Sequence, residues 1–87
     1  MAAGEDIIVY GTVWCPDCIR SRRLLEAKGI PYRWVDIDED PEACRFVERV
    51  NGGARRVPTI VFADGDILVE PSNARLAAKL SPQAPEP

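Results

Sequence analysis

Eighty-seven residues, 46% of them hydrophobic, suffice for one small domain with a single core and leave no room for a second. Fourteen acidic against eleven basic side chains give a formal charge of −3 with no extended basic face, which argues against a nucleic-acid partner. No apolar run approaches the roughly 20 residues of a membrane span, and Met1-Ala2-Ala3-Gly4-Glu5-Asp6 lacks the basic start and apolar middle of a signal peptide, so a cytoplasmic protein without a membrane partner is expected.

In chain order, Ile7-Ile8-Val9-Tyr10 is a short apolar run with β-branched residues, which suits a strand buried on both faces of an α/β sheet. It leads to Trp14-Cys15-Pro16-Asp17-Cys18, a Cys-x-x-Cys pair opening a segment that reads as a helix. Pro16 fits the first helical position, where its missing N–H costs nothing. The helix should run to Lys28. Gly29 is then the left-handed residue beyond the cap, Ile30 packs back on Leu25 and Pro31 prevents continuation. Tyr32-Arg33-Trp34-Val35 mixes aromatic and β-branched residues over a strand length, so strand, helix, strand makes a right-handed parallel crossover.

Asp40 can cap a second helix with Pro41 in its first turn, and Ala43, Phe46, Val47 and Val50 recur at the spacing of one buried face. Cys44 falls off that stripe and reads as a flank residue, not a third active thiol. Asn51-Gly52-Gly53 ends the helix. Thr59-Ile60-Val61-Phe62 and Ile67-Leu68-Val69 flank Asp64-Gly65, a pair suited to the positive backbone angles of a tight hairpin turn. Ser72 is a good N-cap for a last short helix with Leu76 and Leu80 on its apolar face. One domain over residues 1–80 followed by a proline-rich, disordered tail over 81–87 is expected.

Two thiols three positions apart at a helix start can close into a disulfide and reopen. Attack on a disulfide sulfur requires a thiolate. Cys15 precedes the helix, where free N–H groups and the macrodipole favour negative charge, whereas Cys18 lies one turn in and should be more buried and more protonated. Cys15 is therefore expected to be an exposed nucleophile and Cys18 the resolving thiol. Asp17 is a good first-turn residue that also sets a negative charge between them. The alternatives are a static disulfide or half of a metal site. A zinc site needs about four ligands, and this chain offers three cysteines and no histidine; a structural disulfide is disfavoured in a reducing cytosol. The odd cysteine count fits a working pair plus one spare.

The order β-α-β-α-β-β-α, with Cys-x-x-Cys opening the first helix and Val57-Pro58-Thr59 opening the third strand, resembles the thioredoxin-like fold of the glutaredoxins, an α/β fold with a four-stranded mixed sheet and three helices. Within that family the sequence most resembles the mycoredoxins of actinobacteria, through the Trp before the first Cys, Asp36-Ile37, Phe46-Val47, Val50-Asn51-Gly52-Gly53, Phe62-Ala63-Asp64-Gly65 and Pro71-Ser72. The resemblance spans residues 8–80. It implies a thiol–disulfide oxidoreductase that reduces mixed disulfides between proteins and a low-molecular-weight thiol, with the same roles for Cys15 and Cys18. It also implies a cis Val57-Pro58 bond facing the active cysteine, leaving the N–H and C=O of Val57 for an extended substrate.

Trp14 is then either a surface aromatic or the wall of a groove beside Cys15. Arg55 is either a contact to the small thiol or a solvated loop charge. Arg56 stands where the family usually has threonine. Glutathione-using members usually carry a lysine three residues before the nucleophile and an acidic pair at the start of the last helix; the matching positions here are Thr12 and Ser72-Asn73. Glutathione brings carboxylates and an ammonium, whereas mycothiol brings a sugar and an inositol that ask for hydroxyl and amide partners. The resemblance therefore implies mycothiol as thiol co-substrate, no tightly bound cofactor, disulfide-containing proteins as partners and a monomer. Two rivals remain. One is an electron donor, for example to ribonucleotide reductase, recharged by thioredoxin reductase. The other is a carrier of an iron–sulfur cluster bridged between two subunits, against which Pro16 counts because cluster-holding members mostly lack it.

Overall fold

A computed structural model describes residues 7–80, and the tail expected over 81–87 lies outside the described residues. Strand β1 (Ile8–Gly11) runs between two others, with β2 (Arg33–Asp36) parallel on one side and β3 (Thr59–Val61) antiparallel on the other. β4 (Ile67–Val69) continues from β3, giving the order β2-β1-β3-β4 in a four-stranded mixed sheet. Val9 opposes Trp34 across one ladder and Ile60 across the other. The first two strands sit about one residue later than the apolar runs suggest. Gly11 joins β1, and the N–H of Ile37 donates to Gly11 at 2.9 Å, carrying the pairing one residue past β2.

Helix α1 (Pro16–Ala27) ends as its sequence requires. Gly29 has φ 69°, its N–H donates to Glu26 at 3.0 Å, and the N–H of Ile30 reaches back to Leu25 at 2.9 Å, the paired bonds of a Schellman cap. Helix α2 (Pro41–Val50) starts on Asp40, whose carboxylate accepts the Ala43 N–H at 3.1 Å. Helix α3 (Asn73–Leu80) starts on Ser72, whose hydroxyl accepts the Arg75 N–H at 3.0 Å.

Successive β1 residues face opposite sides of the sheet. Val9 belongs to a core with Leu25 of α1, Ile60, Phe62, Leu68 and Leu76 of α3, so α1 and α3 cover that face. Tyr10 belongs to the other, where Ile37, Ala43 and Val47 pack α2, and the Tyr10 and Phe46 rings meet with centroids 5.0 Å apart. Two expectations are corrected here. Val50, placed on the buried face of α2, is 38% exposed, because the helix runs on past the cluster it packs against. Cys44 is a half-buried flank of that cluster, as its position off the apolar stripe suggests. The hairpin is also longer than a two-residue turn. A turn from Phe62 to Gly65 leaves only Gly65 at positive φ, 93°, and Phe62 N–H closes the loop on the Asp66 carbonyl at 2.9 Å. Lys79 of α3 ties back to this turn through the carboxylates of Asp64 and Asp66, with its ammonium 5.3 Å from the Phe62 ring centroid.

The parallel pair β1 and β2 delivers its carboxyl ends to the same edge of the molecule. In α/β sheets that edge is where ligands bind. Here it carries the loop to α1, the loop to α2 and the segment entering β3.

Candidate active site

Cys15 is the N-cap of α1, with extended backbone angles (φ −85°, ψ 118°). This conformation turns its sulfur over the first helical turn, where Sγ accepts the Cys18 N–H at 3.3 Å. The peptide bond between Val57 and Pro58 is cis, and the Val57 carbonyl faces Cys15 Sγ at 3.9 Å. The exposed thiol expected from the sequence is not found, since Cys15 is only 7% accessible. It is enclosed between the helix start and the Val57 segment. Cys18 is wholly buried. Burial, followed by the hydrogen bond with Cys15 and the negative charges of Cys15 and Asp17, pushes its thiol up to about 12, against the opposing pull of the Thr12 backbone. Cys18 is thus a protonated thiol at neutral pH. Asp17 is paired with Arg20 at 2.9 Å, so its charge is partly answered. Cys44 lies on α2, with Sγ 3.7 Å from the Glu48 carboxylate. Among the described residues no three cysteine, aspartate or glutamate side chains gather as metal ligands.

Beside the sulfur lies a groove of about 180 Å³ lined by Thr12, Trp14, Ile37, Asp38, Arg55 and Val57. Trp14 is 68% exposed. It is nonetheless fixed, because its indole N–H donates to Asp38 Oδ2 at 3.0 Å, while Arg55 donates to Asp38 Oδ1 at 3.0 Å. Asp38 is the residue that sequence reasoning missed. In the acidic run Asp36-Ile37-Asp38-Glu39-Asp40 it reads as a solvated loop charge. The one available signal was its place just after a parallel strand, at the edge that also carries Cys15. Thr12 is almost fully buried, and its hydroxyl has no hydrogen-bond partner within the protein.

The model of the family described as glutaredoxin matches residues 7–68. The chain belongs to the glutaredoxin family. A Mycobacterium tuberculosis protein described as a glutaredoxin is 46% identical, over 85% of this chain and 88% of its own length. Mycoredoxin 1 of Corynebacterium glutamicum is 39% identical, over 87% of this chain and 94% of its own. In fold the chain is similar to a glutaredoxin from Archaeoglobus fulgidus, with a TM-score of 0.73 at 23% identity over 85% of this chain and 84% of that one. It is equally similar to the NrdH-redoxin of Escherichia coli, with a TM-score of 0.73 at 22% identity over 90% and 97%. The fold is thioredoxin-like, and the protein is a thiol–disulfide oxidoreductase of the glutaredoxin type.

The remaining positions singled out in this glutaredoxin do not gather at one place. Pro58 is buried behind the groove, and Arg56 reaches 4.0 Å from Glu70. The Ser72 hydroxyl is occupied by the α3 cap. Asn73 accepts from Arg20 at 3.4 Å and borders a second, open depression of about 600 Å³ against Pro16 and Ile19 of α1. Trp14, Arg55 and Val57 thus share the groove beside Cys15, whereas Ser72 and Asn73 stand apart from it.

Proposed function

We propose that this glutaredoxin reduces mixed disulfides between protein cysteines and a low-molecular-weight thiol, mycothiol, through Cys15 and Cys18. One observation carries the reading: Cys15 Sγ caps α1, where the Cys18 N–H and the helix end stabilise negative charge on it, and it faces the Val57 carbonyl at the groove edge. The Cys15 thiolate attacks the small-thiol sulfur of the mixed disulfide. That S–S bond breaks, the protein thiolate leaves and takes up a proton, and the small thiol stays on Cys15. Either a second small thiol or Cys18, deprotonated as it attacks, then releases it. The burial that keeps Cys18 protonated leaves it idle until Cys15 carries a disulfide.

Mycothiol is favoured because the positions of the glutathione anchors hold Thr12, Ser72 and Asn73 instead. The name of the mycoredoxin relative agrees. The protein acts as a monomer in the cytoplasm, with disulfide-containing proteins as partners and no tightly bound cofactor.

In a coupled assay on a protein carrying a mixed disulfide, mycothiol with its reductase should outpace glutathione with glutathione reductase by about tenfold at equal thiol concentration. Leaving one charged group of glutathione without a partner costs about as much as a tenfold change requires. Equal rates would remove the mycothiol reading, and efficient turnover with thioredoxin reductase alone would make the protein an electron donor instead.

Alkylation gives an independent check. Brief iodoacetamide treatment of the reduced protein at pH 7.5, a condition of about neutral charge for ordinary thiols, should label Cys15 first and Cys18 last. Cys44 is more open than Cys15, but its Sγ is engaged with the Glu48 carboxylate at 3.7 Å, whereas Cys15 Sγ sits at the start of α1. Peptide mapping that finds Cys18 labelled ahead of Cys15 would reverse the assignment of roles.

A further inference from the structure

We propose that Asp38 is the charge filter of the groove: by occupying Arg55 it excludes thiols that carry a carboxylate and admits neutral ones. This rests on the reading of the groove as the small-thiol site and names the residue that sets its preference.

The carboxylate is held in place from several directions. Ile37, 3% exposed, anchors the loop in the core, and its N–H continues the ladder to Gly11 at 2.9 Å. The Asp38 N–H donates to the Asp36 carboxylate at 2.9 Å, and the Glu39 N–H to the Asp36 carbonyl at 3.0 Å. From that turn Asp38 spans two loops, accepting Trp14 with one oxygen and Arg55 with the other.

Among the described residues, Arg55 is the one cation lining the groove, and Asp38 is the one anion. Together they leave the groove without net charge. A ligand carboxylate that seeks Arg55 must displace Asp38, which then stands unpaired beside a like charge. A hydroxyl-bearing ligand displaces nothing. It accepts from the remaining guanidinium N–H groups and donates to the spare lone pairs of the carboxylate. The pair is partly exposed, so it acts as a modest selector and not as an absolute barrier.

The test uses the oxidised protein and two small thiols, 3-mercaptopropionate and 2-mercaptoethanol. In each case the thiolate attacks Cys15 Sγ and forms a new S–S bond there. The Cys15–Cys18 bond breaks, and its electron pair leaves on Cys18, which takes up a proton; a second thiol completes the reduction. The quantity read is the ratio of the rate constant for the anionic thiol to that for the neutral one, in which the intrinsic reactivities of the two thiols are common to all variants. Asp38→Asn, which removes charge and keeps an acceptor oxygen, should raise the ratio about two- to fivefold. Arg55→Gln, which leaves Asp38 charged and unpaired, should lower it below wild type. The double variant should return it towards wild type, and salt near 1 M, where the Debye length is about 3 Å, should compress the differences.

A ratio indifferent to Asp38→Asn and to Arg55→Gln overturns the proposal, as does a gain in Asp38→Asn that persists in the double variant. The ratio does not depend on which thiol is physiological. Should the order hold while mycothiol fails as reductant, only the reading under the preceding heading falls.

Discussion

Replacing Cys15 by serine should lower reduction of a mixed disulfide by at least about a thousandfold, the scale on which removal of a covalent nucleophile acts. A serine hydroxyl at the α1 cap still accepts the Cys18 N–H, so the fold should survive and the loss should be chemical. Cys18→Ser should behave differently. In the proposed mechanism the first exchange needs only Cys15, so the variant should accumulate the mixed disulfide on Cys15 and retain slow turnover in which a second small thiol does the releasing. Intact-mass spectrometry of each variant after a single substrate addition distinguishes the two: an adduct on the Cys18 variant, none at the site of the Cys15 variant. Full activity in Cys15→Ser would place the chemistry elsewhere in the chain.

A second large effect is expected at a residue with no reactive group. A Cβ on Gly11 would lie 2.5 Å from Cys18 Sγ and 2.9 and 3.0 Å from atoms of the Trp34 ring. Neither neighbour can move freely. Cys18 is fixed in the first turn of α1, and the Trp34 ring lies under the Arg22 guanidinium at 4.0 Å. The demand is for space and not for an unusual backbone angle, since Gly11 is absent from the residues at positive φ. Gly11→Ala should therefore cost about 2–3 kcal/mol by overpacking, out of a total of roughly 5–15 for a domain. For a chain of this size that is a fall in Tm of roughly 10–20 °C. Thermal unfolding followed by circular dichroism measures it. A fall of only a degree or two would show that the indole yields and that the contact between β1, α1 and β2 is looser than its geometry.

The contacts that sequence reasoning read well are those closed within a few residues. Pro16 at the start of α1 removes a donor that would lack a partner, while Gly29 and Ile30 at its end, Asp40 before α2 and Ser72 before α3 satisfy backbone groups of near neighbours, and each sits where its chemistry requires. The sheet order also follows from such local pieces once the crossover is recognised. What could not be read depends on where a segment lies relative to distant ones. Asp38 meets Trp14 and Arg55 across 24 and 17 residues of chain, and nothing in an acidic loop announces that. Val50 has the right periodicity for burial, but the sheet face gives out beneath it. The place of Cys15 before the helix suggests an exposed thiol, but the Val57 segment, 42 residues on, closes over it. Ser72 and Asn73 match positions that bind substrate in relatives using glutathione, yet here they serve a cap and a contact with Arg20.

The tie between Lys79 and the β3–β4 turn makes the last helix sensitive to acid at one end only. The hydrogen bond from Lys79, with help from the Asp66 N–H, holds the Asp64 carboxyl below its ordinary value, and the carboxylates of Asp64 and Asp66 raise Lys79. A depressed carboxyl contributes stability that is present above its unfolded pKa and is lost as pH falls through the folded one. Salt weakens the same exposed pair at neutral pH. The opposite end of α3 is fastened by the Ser72 cap, whose partners take up no proton in that range. Acid should therefore release the tie between the Leu80 end of α3 and the β3–β4 turn while Leu76 and the Ser72 cap keep the helix docked.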